Sequence, residues 1–190
     1  DVHVKTCAEK TKFTTLDEVE RELSGEDLMI CDSEKAHCIA GVFGGTDSGV
    51  TDQTTTVFLE SAYFDPVSIR KTAKRHNLNT DASFRFERGI DPEIGITALK
   101  RASILIRDVA GATISSEIQE VRKPLQDAVQ VFLSFEQLKK TIGQPLEEKH
   151  LITILNALEM EINNVSEAGI AMTVPRYRVD VTRPADVIEE

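Results

Sequence analysis

No stretch of this chain stays apolar for the roughly 18 residues that crossing a bilayer requires, and its N-terminal stretch does not read as a secretory leader. A soluble protein with no membrane partner is expected. Cysteine is scarce: Cys7, Cys31 and Cys38 form no C-x-x-C pair and leave one thiol over. That excludes a disulfide framework or a zinc ribbon and suits a reducing cytoplasm, the expected location, with the thiols serving as small buried hydrophobes. Four motifs are also missing: the phosphate loop G-x-x-x-x-G-K-[ST], G-x-G-x-x-G, the nucleophile elbow G-x-S-x-G, and H-E-x-x-H. His3, His37, His76 and His150 stand far apart with no i, i+4 spacing, so neither a metal cluster nor a catalytic triad is supported. Excess basic charge is absent too. A formal net charge of −10 excludes a general nucleic-acid-binding surface.

What is present is ordinary globular material. Hydrophobic residues make up 41% and charged residues 28% of 190 positions, enough for one large domain or two small ones without cross-links. Asp1 is not an initiator methionine, and Asp186-Val-Ile-Glu-Glu190 reads as a helix just starting, so an internal piece of a longer protein is expected. The acidity is uneven. Arg70, Lys71, Lys74, Arg75, Arg85, Arg88, Lys100 and Arg101 face only Asp81, Glu87, Asp91 and Glu93 in the same stretch, a local +4 that leaves −14 for the rest. That excess either meets phosphates on one face or solvates helix surfaces.

Short strands are predicted near Val2–Val4, Leu28–Cys31, Ile39–Phe43 and Thr55–Phe64, with a glycine-rich turn from Gly44 to Gly49. Asp65-Pro66 is a helix start running to about His76, followed by an irregular polar segment, Asn77–Glu87. Asp91-Pro92 opens a longer predicted helix to Ala110. Its apolar stripe is Ala98, Leu99, Ala102, Leu105, Ile106 and Val109, and Gly111 stops it. A strand near Ile114–Val121 and a linker at Lys123–Asp127 follow. Beyond them come a strand (Val129–Leu133), a helix capped by Ser134 with Gln137 three on, and a helix carrying Leu151, Ile154, Leu155 and Leu158. A hairpin (Glu161–Asn164, Ile170–Val174) closes the pattern. The fold class is α+β: a mixed-sheet domain with packed helices over 1–122, then a small winged-helix-like α+β domain over 123–190.

Glu60 lies in Val57-Phe-Leu-Glu-Ser-Ala-Tyr-Phe64, apolar on both faces, where alternation puts it beside Phe58 and Ala62. A carboxylate there is either paired with an arginine or lines a polar pocket, because an unpaired buried charge is expensive. Gly44 and Gly45 follow the strand ending at Phe43 and either let the main chain approach a ligand or form a plain turn. Asn79-Thr80-Asp81-Ala82-Ser83 is a small polar loop that suits a ligand wall, as many loops do.

Three blocks stand in one order and spacing: Ala40-Gly-Val-Phe-Gly-Gly45, Phe58-Leu-Glu60-Ser-Ala-Tyr-Phe64, and Asn79-Thr-Asp-Ala-Ser-Phe-Arg-Phe-Glu-Arg-Gly-Ile-Asp-Pro92. Together they resemble the editing domain of the bacterial-type phenylalanyl-tRNA synthetase β subunit. The resemblance continues through the small second domain to Val174-Pro-Arg-Tyr-Arg-Val-Asp180 and Asp186-Val-Ile-Glu-Glu190, so it spans essentially the whole chain.

In that family the α subunit makes the aminoacyl bond, the enzyme is an α2β2 heterotetramer, and the β editing domain hydrolyses tRNA(Phe) mischarged with tyrosine. The resemblance therefore implies Tyr-tRNA(Phe) hydrolysis, with the tRNA(Phe) acceptor end and the α subunit as partners; the alternative is a non-catalytic scaffold for either. It implies Glu60 as the reader of the tyrosine hydroxyl, Gly44 and Ala82 as shapers of the pocket, and Thr80 as the holder of the ester or a water. Thr80 and Glu60 are thus the expected catalytic residues, with a positioned water attacking and no cofactor needed there. In the family, upstream histidines also line the pocket, so an incomplete pocket is expected here. Arg70, Lys74 and Arg75 are the expected tRNA contacts. Asp180, Asp186, Glu189 and Glu190 match acidic positions assigned to Mg²⁺ in the family, and either hold such a hard cation or form a solvated helix start.

Overall fold

A computed structural model describes the whole chain, Asp1–Glu190, which divides into two compact units: Asp1–Ile90 with Gly95–Ala112, and Asp91–Ile94 with Thr113–Glu190.

In the first unit six short strands come first: β1 (His3–Thr6), β2 (Lys12–Thr14), β3 (Glu20–Glu22), β4 (Leu28–Cys31), β5 (Ala36–Ile39) and β6 (Phe43–Gly44). They form a sheet of order β1-β4-β5-β6 and a separate β2-β3 ribbon, every pairing antiparallel. Period-2 alternation is visible in β4, where Met29 and Cys31 are buried while Leu28 and Ile30 are half-buried. Three helices follow: α1 (Pro66–Arg75), α2 (Asp81–Phe86) and α3 (Gly95–Ala110). Asp65 caps α1, accepting from Ser68 N at 2.7 Å, with Pro66 at the first position where no N–H is needed. One face of α1 buries Ile69, Thr72 and Ala73, at helical spacing, against Leu23, Met29, Ile39, Val42 and Phe64. Phe64 and Phe86 meet edge to face at 5.0 Å, joining α2 to this core.

The C-terminus of α1 closes in a Schellman motif. Asn77 takes the left-handed conformation (φ 54), Leu78 N donates to Ala73 O at 2.9 Å, and Asn77 N donates to Lys74 O at 3.2 Å. The chain then reaches Thr80, the N-cap of α2. Thr80 Oγ1 accepts from Ser83 N at 3.1 Å, and Ser83 Oγ accepts from Thr80 N at 3.0 Å, a capping box.

The second unit contains β7 (Gln130–Ser134), α4 (Phe135–Ile142), α5 (Glu148–Ala157), β8 (Glu161–Ser166), β9 (Gly169–Thr173) and α6 (Pro184–Glu189). Its antiparallel sheet has the order β7-β9-β8, and the core gathers Val131, Leu133, Leu138, Leu151, Leu155, Ile170 and Met172. Ser134 caps α4 by accepting from Gln137 N, and Gly143 ends it in the left-handed region at φ 85. The α+β class and the helix-helix-hairpin order of the small unit stand as expected.

Several local expectations are corrected. Ile39–Phe43 is a turn between β5 and β6 instead of a strand, because Gly41 sits at φ +66, where a Cβ would fall 2.7 Å from the Phe64 ring. Thr55–Phe64 is not a strand: the sheet ends at β6, and without a neighbour to take its N–H and C=O groups the segment forms no ladder. Ile114–Val121 forms no strand for the same reason. The supposedly irregular Asn77–Glu87 contains α2. The helix expected from Asp91 begins at Gly95, and none of its residues is buried, so its apolar stripe is not packed into the unit's core.

Candidate functional site

Gly44 lies in β6, where its register partner in β5 is Cys38. A Cβ on Gly44 would meet Leu16 Cδ1 at 2.9 Å, so glycine keeps this strand free of side-chain bulk. Burial pushes the Cys38 thiol up to about 11, and the charge of Glu60 adds to the shift.

Desolvation raises the Glu60 carboxyl above the ordinary glutamate range. The residue itself is nevertheless exposed, as is neighbouring Phe58 at 77%. The exposure sets the limit on this carboxylate: it is crowded on one side and reached by water on the other. The expectation of a carboxylate buried in an apolar strand is corrected accordingly. No arginine or lysine forms an ion pair with Glu60, so the structural-pair alternative is not realised.

Thr80 reaches the same turn from the helical side. Its Oγ1 donates to the Val42 carbonyl at 2.6 Å, two residues before Gly44. The same oxygen accepts from Ser83 N at 3.1 Å and lies 3.2 Å from Ser83 Oγ, so Val42 and Ser83 together fix the hydroxyl. Ala82 follows in the first turn of α2, exposed and without a polar group to interfere. Gly44 pairs with Cys38 in the sheet, and Thr80 is tied to the Val42 carbonyl at the β5–β6 turn.

These blocks now have a family to be set against. The family model of the B3/4 domain matches residues 1–111, and that of the tRNA synthetase B5 domain matches residues 131–190. The chain belongs to the B3/4 domain family, with a B5 domain behind it. It is 55% identical to the phenylalanine–tRNA ligase beta subunit of Bacteroides thetaiotaomicron, 52% to that of Porphyromonas gingivalis and 40% to that of Carboxydothermus hydrogenoformans. Each match covers 100% of this chain but only 23 or 24% of the relative. The chain spans about a quarter of the length of the curated relatives it matches. The resemblance read from residues 40–45, 58–64 and 79–92 is thereby established for the chain as a whole.

Of the three expected tRNA contacts, Arg75 is committed inside the protein. Its Nη1 donates to Asp27 Oδ1, and its Nη2 donates to Glu26 Oε2 at 2.7 Å. Arg70 donates to the Glu87 carbonyl at 3.2 Å, while Lys71 and Lys74 stand exposed. The four acids expected to hold Mg²⁺ do not form a metal site, and nothing else in the chain gathers three candidate ligands. Asp186 is occupied by Arg183, which holds its carboxyl far below the usual range, and by the Thr182 and Arg183 amides. Glu190 pairs with Arg178 at 2.8 Å. An acid already neutralised by an arginine offers a cation little.

Sequence reasoning missed a polar cluster behind the site. Asp27 has no exposed surface, yet it accepts from Thr72 Oγ1 at 2.9 Å, Ser24 N at 2.8 Å, His76 Nε2 at 2.6 Å and Arg75 Nη1. Burial pushes its carboxyl up, but these donors outweigh that and hold it below the usual range. Ser24-Gly-Glu-Asp27 reads only as a turn, and no local signal in the sequence ties it to residues 45 or more positions away.

Proposed function

We infer that this stretch is the part of a phenylalanine–tRNA ligase beta subunit that hydrolyses tyrosine wrongly esterified to tRNA(Phe), with Glu60 selecting the tyrosine hydroxyl. The observations that support the reading are the match to the B3/4 domain and a Glu60 carboxylate that no arginine or lysine pairs with, while Thr80 is tied to the Val42 carbonyl two residues before Gly44. The chemistry requires a second site. A hydrophobic pocket built for phenylalanine rejects an added hydroxyl by only about 10²-fold. A site that instead demands the hydroxyl completes the discrimination. A charge-assisted hydrogen bond is worth about 1.5–3 kcal/mol, and the solvent contact of Glu60 places this one near the lower end, roughly tenfold.

In this mechanism the bare backbone at Gly44 and the small Ala82 leave room for the ester. Thr80 Oγ1 accepts a hydrogen bond from the attacking water and aims the water's lone pair at the carbonyl carbon. The water oxygen bonds to the carbonyl carbon, the C–O bond to the ribose breaks, a proton from that water passes to the departing ribose oxygen, and tyrosine and tRNA with a free terminal hydroxyl leave. The tRNA approaches over the exposed Lys71 and Lys74 side of α1.

The test uses the intact enzyme that carries this stretch. Release of tyrosine from Tyr-tRNA(Phe) is expected without ATP, and Gly44→Val and Ala82→Phe should each lower the rate about 10- to 100-fold by displacing the ester. Absence of release by the wild-type enzyme, with tRNA binding intact, would make the stretch a scaffold.

A further inference from the structure

We propose that Asp27 and His76 are positioning residues for Thr80: a buried clamp that fixes the end of α1 and, through the three residues that follow His76, sets where the Thr80 hydroxyl stands. The proposal rests on the editing reading for the reaction it affects, and on the geometry of this cluster for everything else.

His76 is the C-cap of α1, and it is gripped twice. Its side chain, 6% exposed, bonds through Nε2 to Asp27 Oδ2 at 2.6 Å, and its carbonyl accepts from Arg21 Nη1 at 2.9 Å. Arg21 is itself held, donating through Nε to Thr15 Oγ1 at 2.9 Å and through Nη2 to Asp17 Oδ2 at 2.7 Å. Asp27 is fixed in turn by Thr72 on the same helix and by Ser24 N in its own turn. The β3–β4 connection and the β2–β3 ribbon thus hold one residue of α1 from two directions.

From His76 the path to the site is short and stiff. Asn77 and Leu78 are locked by the Schellman bonds to Lys74 and Ala73, and Leu78 packs on the unit's core. Asn79 alone separates that motif from Thr80. Moving the His76 end therefore strains either the Thr80–Val42 hydrogen bond or the capping box with Ser83. Nothing else in the reading of the site uses this cluster: none of its side chains belongs to the Gly44, Glu60, Thr80, Ala82 set. A fully buried carboxylate meeting four donors is more than a helix end requires, since the Schellman motif already satisfies the last carbonyls.

The test compares His76→Ala with His76→Gln in the intact enzyme. The Gln amide nitrogen can replace Nε2 as the donor to Asp27, whereas Ala cannot. His76→Ala should lower kcat for Tyr-tRNA(Phe) hydrolysis about 10- to 100-fold, the cost of a displacement of order 1 Å, with KM changed by no more than about twofold. His76→Gln should restore most of the rate, and phenylalanylation should be unaltered in both. Hydrogen exchange gives a second readout. In His76→Ala the Ser83 and Phe84 amides, which bond to Thr80 Oγ1 and Thr80 O, should lose protection while those of β4 keep theirs. If His76→Ala does not fold, the near-isosteric Thr72→Val, which removes one donor to Asp27, should give a smaller loss of kcat of the same sign.

An unchanged kcat in folded His76→Ala, equal losses in Ala and Gln, or deprotection spread through β4 and β5 would overturn the proposal. In each case the editing reading survives if the wild type hydrolyses Tyr-tRNA(Phe). Failure of the wild type itself would remove both.

Discussion

Asp27 illustrates how a single buried carboxylate can dominate its surroundings. Its folded-state pKa lies below the unfolded value of about 3.9, so it contributes stability that is fully present above that pH and is lost as pH falls through the folded pKa. The groups that face it are His76 and Arg75 from α1, with Glu26 sharing Arg75 and Arg21 holding the His76 carbonyl. Asp27→Ala should cost about 3–5 kcal/mol, because it strands donors in the interior. Asp27→Asn should lose less at pH 7. Its deficit relative to wild type, measured by urea denaturation, should shrink as pH drops below about 4. A deficit that stays constant down to pH 3 would mean the carboxylate's charge contributes nothing. Glu60 is the opposite kind of residue: its carboxyl is raised by desolvation, it is exposed, and no basic group pairs with it.

At the scale of elements, turn chemistry sets the frame around the site. Gly41 and Gly143 both hold left-handed φ, but a Cβ at Gly41 would meet Phe64 and Ile69 while one at Gly143 meets nothing within 4 Å. Gly143→Ala should therefore cost only the backbone strain, about 1–2 kcal/mol. Gly41→Ala should cost more, since the β5–β6 turn must also push aside two core side chains; denaturation midpoints at equal m-value check the difference. Several helix ends are legible from the sequence because their signals are local: Asp65-Pro66, Ser134 with Gln137, and Gly143 each act within four residues, whereas Asp91-Pro92 carries the same start signal and its helix begins only at Gly95. Strands were legible only where a partner exists. Leu28–Cys31 has neighbours on both sides, whereas Thr55–Phe64 carries an equally good apolar pattern and pairs with none. The family blocks name Gly44, Glu60, Thr80 and Ala82 as the candidate site, and their roles rest on that resemblance. Its supporting cluster was not, because Asp27 and His76 are joined only by the fold.

For the whole molecule, charge distribution decides how an acidic chain meets an acidic polymer. With a net charge of −10, only a local cationic face can face phosphates, and α1 supplies Lys71 and Lys74 while Arg75 is withheld. Lys74→Glu should weaken tRNA binding by the intact enzyme and reduce the salt slope by about 1. Arg75→Glu should instead destabilise the first unit by setting a second negative charge against Asp27. The central claim concerns a hydroxyl and a carboxylate, and a cycle that removes each in turn tests it most directly. Hydrolysis of Tyr-tRNA(Phe) and of Phe-tRNA(Phe) would be measured for the intact enzyme and for its Glu60→Ala variant. The account predicts that the wild type prefers the tyrosyl ester by about tenfold or more and that the preference collapses toward unity in the variant. The same ratio in both enzymes would contradict it.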